Sequence, residues 1–218
     1  MTMQVNFKIK NLNRFNKNYF KNIFFQNFNL NHKINFGTTE ANIFFKKKLS
    51  KSKLYLEIGS GKSTILAEKL NKYYFSIETS KMFYSLLKKK LKKKNNLKYF
   101  NLGIVGDYSY PLFIYKKKAI NYLNFVNRFM KLNQFPDLIL VDGRYRVLIL
   151  LNILKFKKSL KNNKTCILLD DFKNRQYYTI LNKFYKIEKI GRMAKLKPKL
   201  YKTSDLKKFL NYYLLDPR

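Results

Sequence analysis

The chain has 218 residues, 46% of them hydrophobic and 17% aromatic, enough for one domain with a real core. Its 47 Lys and Arg against 12 Asp and Glu give a formal charge of +35, a field that repels cations and attracts polyanions. A single cysteine, Cys166, excludes an internal disulfide, and no apolar run approaches the roughly 18 residues that span a bilayer.

Residues 1–37 show no clean hydrophobic period and contain no acid, so they are expected to form a basic N-terminal extension ahead of a domain over 38–218. They lack the continuous apolar stretch of a secretory signal and are poor in Ser and Arg, unlike transit peptides. With one unpaired cysteine, this predicts a reducing, cytoplasmic setting. His32, the single histidine, lies in this arm and reads as a surface residue.

Thr38 and Thr39 are placed to cap a helix over 40–49. The run "LYLEI" (54–58) ends at a glycine turn and predicts a buried strand. "STILAEKL" then predicts a helix with Ile65, Leu66 and Leu70 on its buried face. "YYFSIE" (73–78) is a second strand, and "SKMFYSLLKKKLKKK" an amphipathic helix whose lysines face water. A third strand over 97–102, a loop "GIVGDYSYP", a helix over 116–132 and a fourth strand over 137–143 follow. Next come a helix to about Ser159, a fifth strand over 164–171, a helix over 174–183, and a closing pair, "YKIEKI" with "RMAKLKP". Strands alternating with helices predict an α/β fold with a doubly wound, Rossmann-like, mostly parallel sheet of about seven strands.

Five of the twelve acids, Glu57, Glu78, Asp142, Asp170 and Asp171, stand at or beside the ends of strand-like runs. The turn between the first strand and helix reads Gly59-Ser60-Gly61-Lys62-Ser63-Thr64. A phosphate-binding P-loop needs glycine five residues before Gly61, and that position is Leu56, inside the strand. Glu57 beside the turn is a second objection, since a carboxylate about 5 Å from a phosphate costs several kcal/mol at an effective dielectric near 20. A dinucleotide turn wants glycine three residues past Gly61, where Thr64 stands. A ligand with a positive centre reverses the electrostatic objection. S-adenosylmethionine carries a sulfonium and an ammonium beside an adenosine, and Glu57 at the mouth of the turn suits it. Glu78, 19 residues after Gly59 at the end of the second strand, is spaced to accept the ribose hydroxyls.

From Gly37 to Pro198 the chain resembles class I S-adenosylmethionine-dependent methyltransferases, in particular a largely uncharacterised bacterial-type group. That group carries E-x-G-S-G-x-S-T, here Glu57 to Thr64, and a second strand ending S-V-E, here Ser76-Ile77-Glu78. Its G-x-x-G-[DE]-W-G-x-P loop is matched by Gly103 to Pro111, with Tyr108 and Ser109 in place of Trp and Gly. V-D-G-R-F-R-V is matched over 141–147, D-D-Y-x-x-R-x-x-Y over 170–178, and G-R-M-A over 191–194; Asn101 stands where such proteins often carry Asp. The resemblance implies S-adenosylmethionine held by Glu57, Gly59, Ser60, Gly61, Ser63, Thr64, Glu78 and Asp142. It also implies chemistry at Asp142, Asp170, Asp171, Arg144 and Arg175.

Methyl transfer needs alignment, and a base where the acceptor must lose a proton. Three readings of the aspartates stay open: a general base, a Mg²⁺ site as in metal-dependent O-methyltransferases, or structural pairing, Asp142 capping a helix and Asp171 held by Arg175 or Arg144. Only seven of the basic residues are Arg, and Arg144, Arg146 and Arg175 stand out as able to hold the aspartates or an anionic acceptor. Tyr177 and Tyr178 line an acceptor pocket or pack on the sheet, and Cys166 reads as a buried small residue. The expected acceptor is a small or glycan-like molecule with an oxygen or nitrogen nucleophile. RNA methylation over the basic surface, and a non-catalytic scaffold keeping the same fold, are the rivals. The lysines, mixed with abundant Asn, Phe, Tyr and Ile, have a codon-level explanation in an AT-rich genome, which weakens the charge as an argument for RNA.

Overall fold

A computed structural model describes residues 33–218. The expected arm, as far as residue 32, and His32 with it lie outside the described residues. Ile34 and Phe36 are buried, and Phe36 packs on Phe45 with ring centroids 4.8 Å apart.

Seven strands run in chain order: β1 Leu54–Ile58, β2 Tyr73–Glu78, β3 Leu97–Tyr99, β4 Leu138–Val141, β5 Cys166–Leu169, β6 Tyr185–Ile190 and β7 Met193–Pro198. The helices are α1 Thr39–Lys51, α2 Lys62–Lys69, α3 Lys81–Lys90, α4 Lys116–Met130, α5 Arg146–Ile153, α6 Lys157–Asn162 and α7 Thr203–Tyr213. The strands form one sheet in the order β3-β2-β1-β4-β5-β7-β6. β1 to β5 pair in parallel, whereas β7 runs antiparallel to both β5 and β6. This is the expected doubly wound α/β architecture.

Period-two alternation sorts the core into two layers. Leu138 and Leu140 of β4, with Tyr55 and Tyr74, face a layer containing Phe45 and Leu49 of α1. Ile139 and Val141 face the other layer, with Leu56 and Ile58 of β1 and the buried residues of α4 and α5. Every residue of α5 is buried, six of them apolar and two, Arg146 and Asn152, polar. Each fully buried Leu or Ile there contributes about 2 kcal/mol.

The structure corrects several expectations. In α2 the buried residues are Ser63, Thr64 and Ala67, and Leu70 is exposed. Ile65 and Leu66 are half-buried against the core as expected, and Ser63 and Thr64 are buried as hydroxyl partners of Glu57 on the facing strand. α3 stops at Lys90; Leu87 and Leu91 are buried and the lysines around them point outward. The helix expected to reach Ser159 breaks into α5, a 3₁₀ turn over Leu154–Phe156, and α6. Residues 176–183 form 3₁₀ turns rather than α-helix. α7 was not anticipated, although Leu206, Phe209, Leu210 and Tyr213 hold helical spacing and pack on the core. Cys166 is half-buried at the start of β5. No helix among the described residues is long and apolar enough to cross a membrane.

Candidate functional site

The sheet reverses its winding between β1 and β4, the place where open parallel sheets bind ligands beyond their carboxyl ends. Every residue expected at the site lies at or beside that edge. The Gly59 turn follows β1, Glu78 ends β2, Asp142 follows β4, and Asp170 and Asp171 follow β5.

Gly59 has φ +99°, in the left-handed range open to glycine, and its N–H donates to Ile77 O at 2.9 Å. A Cβ there would lie 2.6 Å from the Asp142 carbonyl carbon and 2.7 Å from Gly143 Cα. The turns after β1 and β4 therefore touch backbone to backbone, sealed by Asp142 N–H and Gly143 N–H donating to Ile58 O at 2.7 and 2.6 Å. At Gly61, by contrast, a Cβ would meet nothing nearer than Ser63 Oγ at 3.9 Å. One side of the turn is packed and the other is open.

Glu57 is not at the mouth of this turn. It is wholly buried beneath it, on the Tyr55 side of β1. Ser63 Oγ donates to its Oε1 and Thr64 Oγ1 to its Oε2 at 2.5 Å, and Ser76 Oγ lies 2.8 Å from Oε2. Thr64 Oγ1 also accepts from Gly61 N–H at 2.9 Å, and Ser76 Oγ reaches Ser60 Oγ at 2.8 Å. Burial pushes the Glu57 carboxyl up, and the three hydroxyls draw it back. The carboxylate thus anchors the turn and the first turn of α2 from below. Ser63 and Thr64 belong to that anchor, and Ser76 is a part of it that sequence reading did not single out.

Glu78 is 5% exposed. Its Oε1 accepts from Thr79 N–H and Ser80 N–H, both at 2.7 Å, and the Ser60 N–H also acts on the carboxylate. Burial raises its carboxyl from 4.5 to about 7 against those three donors. Ser109, in the loop after β3, places its Oγ 3.5 Å from Oε1. Tyr108 and Ser109 both have left-handed backbone, and the Tyr108 carbonyl accepts from Arg144 Nε at 2.6 Å.

The aspartates form an interlocked set with arginines. Arg146, 8% exposed, donates from Nε to Gly143 O, from Nη1 to Asp170 O and from Nη2 to Asp142 O, each at 2.9 Å. Its Nη2 also pairs with Asp142 Oδ1 at 3.0 Å. Asp170 pairs with Arg192 at 3.2 Å, and Asp171 pairs with Arg175. Burial raises the Asp142 and Asp170 carboxyls, opposed chiefly by Arg146 and Arg192 respectively. Asp142 does not cap a helix: α5 begins after Tyr145, and its first N–H groups donate instead to Pro217 O and Arg218 O at 2.9 Å. Arg144 pairs with no aspartate among the described side chains. Tyr178 is core, stacked on Phe172, whereas Tyr177 stays at the rim with its hydroxyl accepting from Arg175 at 2.8 Å.

These pairings do not suit a divalent metal. Each aspartate is bound to an arginine, and no three ligating side chains converge among the described residues. Arg192 lies in the G-R-M-A stretch, but its role was missed by sequence reading because it reaches Asp170 only through the β6–β7 hairpin.

No protein-family profile matches the chain, and neither does any curated protein. Among solved structures, the chain is similar to a methyltransferase-like protein from Silicibacter pomeroyi DSS-3. The TM-score is 0.63 at 21% identity, over 83% of this chain and 97% of that one. At that identity the likeness concerns the fold.

Proposed function

We propose that the chain is an S-adenosylmethionine-dependent methyltransferase. The reading rests on one coincidence: at the switch point of the sheet, a glycine turn open on its outer side stands beside Glu78, a carboxylate prepared by backbone donors to accept more hydrogen bonds. When bound, the cofactor supplies an activated methyl group on a sulfonium. The residues fit it: Gly59, Ser60 and Gly61 hold its amino-acid end, and Glu78 accepts the ribose hydroxyls, each such bond to a charged acceptor contributing about 1.5–3 kcal/mol. Glu57, Ser63 and Thr64 position the turn rather than touch the ligand.

Asp142 is the least covered of the three aspartates, its side chain 36% exposed against 5% for Asp170 and 24% for Asp171. Asp142 receives the proton where the acceptor must lose one, and Arg146 holds it in place. Arg192 and Arg175 fix Asp170 and Asp171, which makes those two struts of the site. The acceptor is a small or glycan-like molecule with an oxygen or nitrogen nucleophile.

The +35 charge favours a second reading, in which the acceptor is RNA. Retention of labelled S-adenosylmethionine on the purified chain tests the cofactor. Displacement by S-adenosylhomocysteine, and by neither ATP nor NAD, is expected; displacement by ATP would overturn it. Methyl transfer to RNA that fades as salt rises would select the second acceptor.

A further inference from the structure

Five of the seven arginines, Arg144, Arg146, Arg175, Arg192 and Arg218, belong to the ends of β4 and β5 and the segments packed on them. Four of them are neutralised. Arg146 pairs with Asp142, Arg192 with Asp170, Arg175 with Asp171, and Arg218 with Asp216 at 2.5 Å. Arg144 is the fifth, and it has no carboxylate partner among the described side chains. Its Nε is fixed by the Tyr108 carbonyl at 2.6 Å, and its guanidinium sits 5.8 Å from the centre of the Tyr110 ring. Burial and the neighbouring Arg146 guanidinium disfavour its charge, while Asp142 and Tyr177 are close enough to act on it in the opposite sense. A half-buried guanidinium held at Nε, beside phenol rings and close to the proposed proton acceptor, is poised for an oxyanion. A planar fork binds carboxylate or phosphate through two parallel bonds.

We infer that Arg144 binds an oxyanion group, carboxylate or phosphate, on the methyl acceptor. The acceptor is then a small acid whose apolar body lies against Tyr110 and Tyr177 and whose nucleophile faces Asp142. The inference rests on the methyl-transfer reading and narrows its substrate class. The arginine choice is what separates this site from the lysine field around it. Lysine gives diffuse attraction that salt screens, whereas the fork gives a directional, partly desolvated contact.

The test is calorimetric titration of the chain with phenyl phosphate, benzoate and neutral benzyl alcohol, with and without S-adenosylhomocysteine. The proteins are wild type, Arg144→Gln, and Lys161→Gln, which removes the same charge near the opposite, amino-terminal edge of the sheet. At least one of the two anions is expected to bind once per chain and benzyl alcohol far more weakly. Arg144→Gln is expected to weaken the anion about tenfold or more, as the loss of a charge-assisted pair implies, and Lys161→Gln less than about twofold. Cofactor-product binding stays equal in wild type and Lys161→Gln, and coincident urea-unfolding midpoints report that all three are folded. Equal anion binding by wild type and Arg144→Gln would overturn the inference. So would an oligonucleotide, and neither small anion, binding in a manner that Arg144→Gln weakens. If S-adenosylhomocysteine fails to bind wild type, the methyl-transfer reading falls, and the anion titration without it still decides Arg144.

Discussion

Gly59 and Glu78 shape the candidate site at the level of single residues, one by lacking a side chain and the other by burying a carboxyl group. Gly59→Ala adds a methyl group where backbone atoms already stand under 3 Å away, at a φ that alanine avoids. It is expected to cost about 3 kcal/mol or more in urea unfolding, and a loss below about 1 kcal/mol would contradict the packing described. Glu78 carries the pH dependence. Its folded carboxyl is raised to about 7 from 4.5, so the folded state holds the extra proton and this group's contribution to stability falls as pH rises through that window. The ionised form is the stronger acceptor, so S-adenosylhomocysteine affinity should rise about tenfold from pH 6 to pH 8. Glu78→Gln should flatten that profile; a profile unchanged by the substitution would detach the titration from Glu78. Both residues were legible in sequence, because glycine after a short apolar run and an acid closing the next one are local signals. The burial of Glu57 was not. Its partners Ser63, Thr64 and Ser76 come from α2 and β2, and only the folded register brings them together.

Elements meet at Arg146, which ties the end of β4, the end of β5 and the start of α5 through one guanidinium. Arg146→Ala leaves the Asp142 carboxylate and three carbonyls without their donor. It should destabilise the chain by about 2–3 kcal/mol, chiefly because the carbonyls lose their donor, the 36% exposed Asp142 carboxylate being open to water. Arg175→Ala removes a guanidinium that is 39% exposed and should cost under about 1 kcal/mol. Equal losses in chemical denaturation would show that Arg146 is not the clamp. The i,i+4 spacing of Asp142 with Arg146 and Asp171 with Arg175 was visible in the sequence; the reach of Arg192 to Asp170 was not, since it depends on the reversed β7. Short apolar runs between breakers leave few choices, so β1, β2 and β6 have the bounds expected from sequence, whereas β3, β4, β5 and β7 are one to four residues shorter than expected. The 3₁₀ turns after Arg175 escaped because their apolar spacing matches that of an α-helix.

At the scale of the whole molecule, the sheet order and the charge answer different questions. Order β3-β2-β1-β4-β5-β7-β6 brings the carboxyl-terminal turns of five parallel strands to one edge and makes a nucleoside site there possible. The +35 charge instead governs what else approaches, through a field that about 0.15 M salt screens within roughly 8 Å. On the proposed reading, an anionic acceptor would gain from that field on its way in, and Arg144 would supply what the field cannot, a direction. The central claim is that the turn after β1 and the carboxylate ending β2 together hold S-adenosylmethionine. Calorimetric titration of S-adenosylhomocysteine into wild type and Glu78→Ala tests it most directly. The account predicts one site per chain in wild type and affinity lower by about tenfold or more in the variant. Equal affinity in the two proteins, or no binding to wild type, would contradict it.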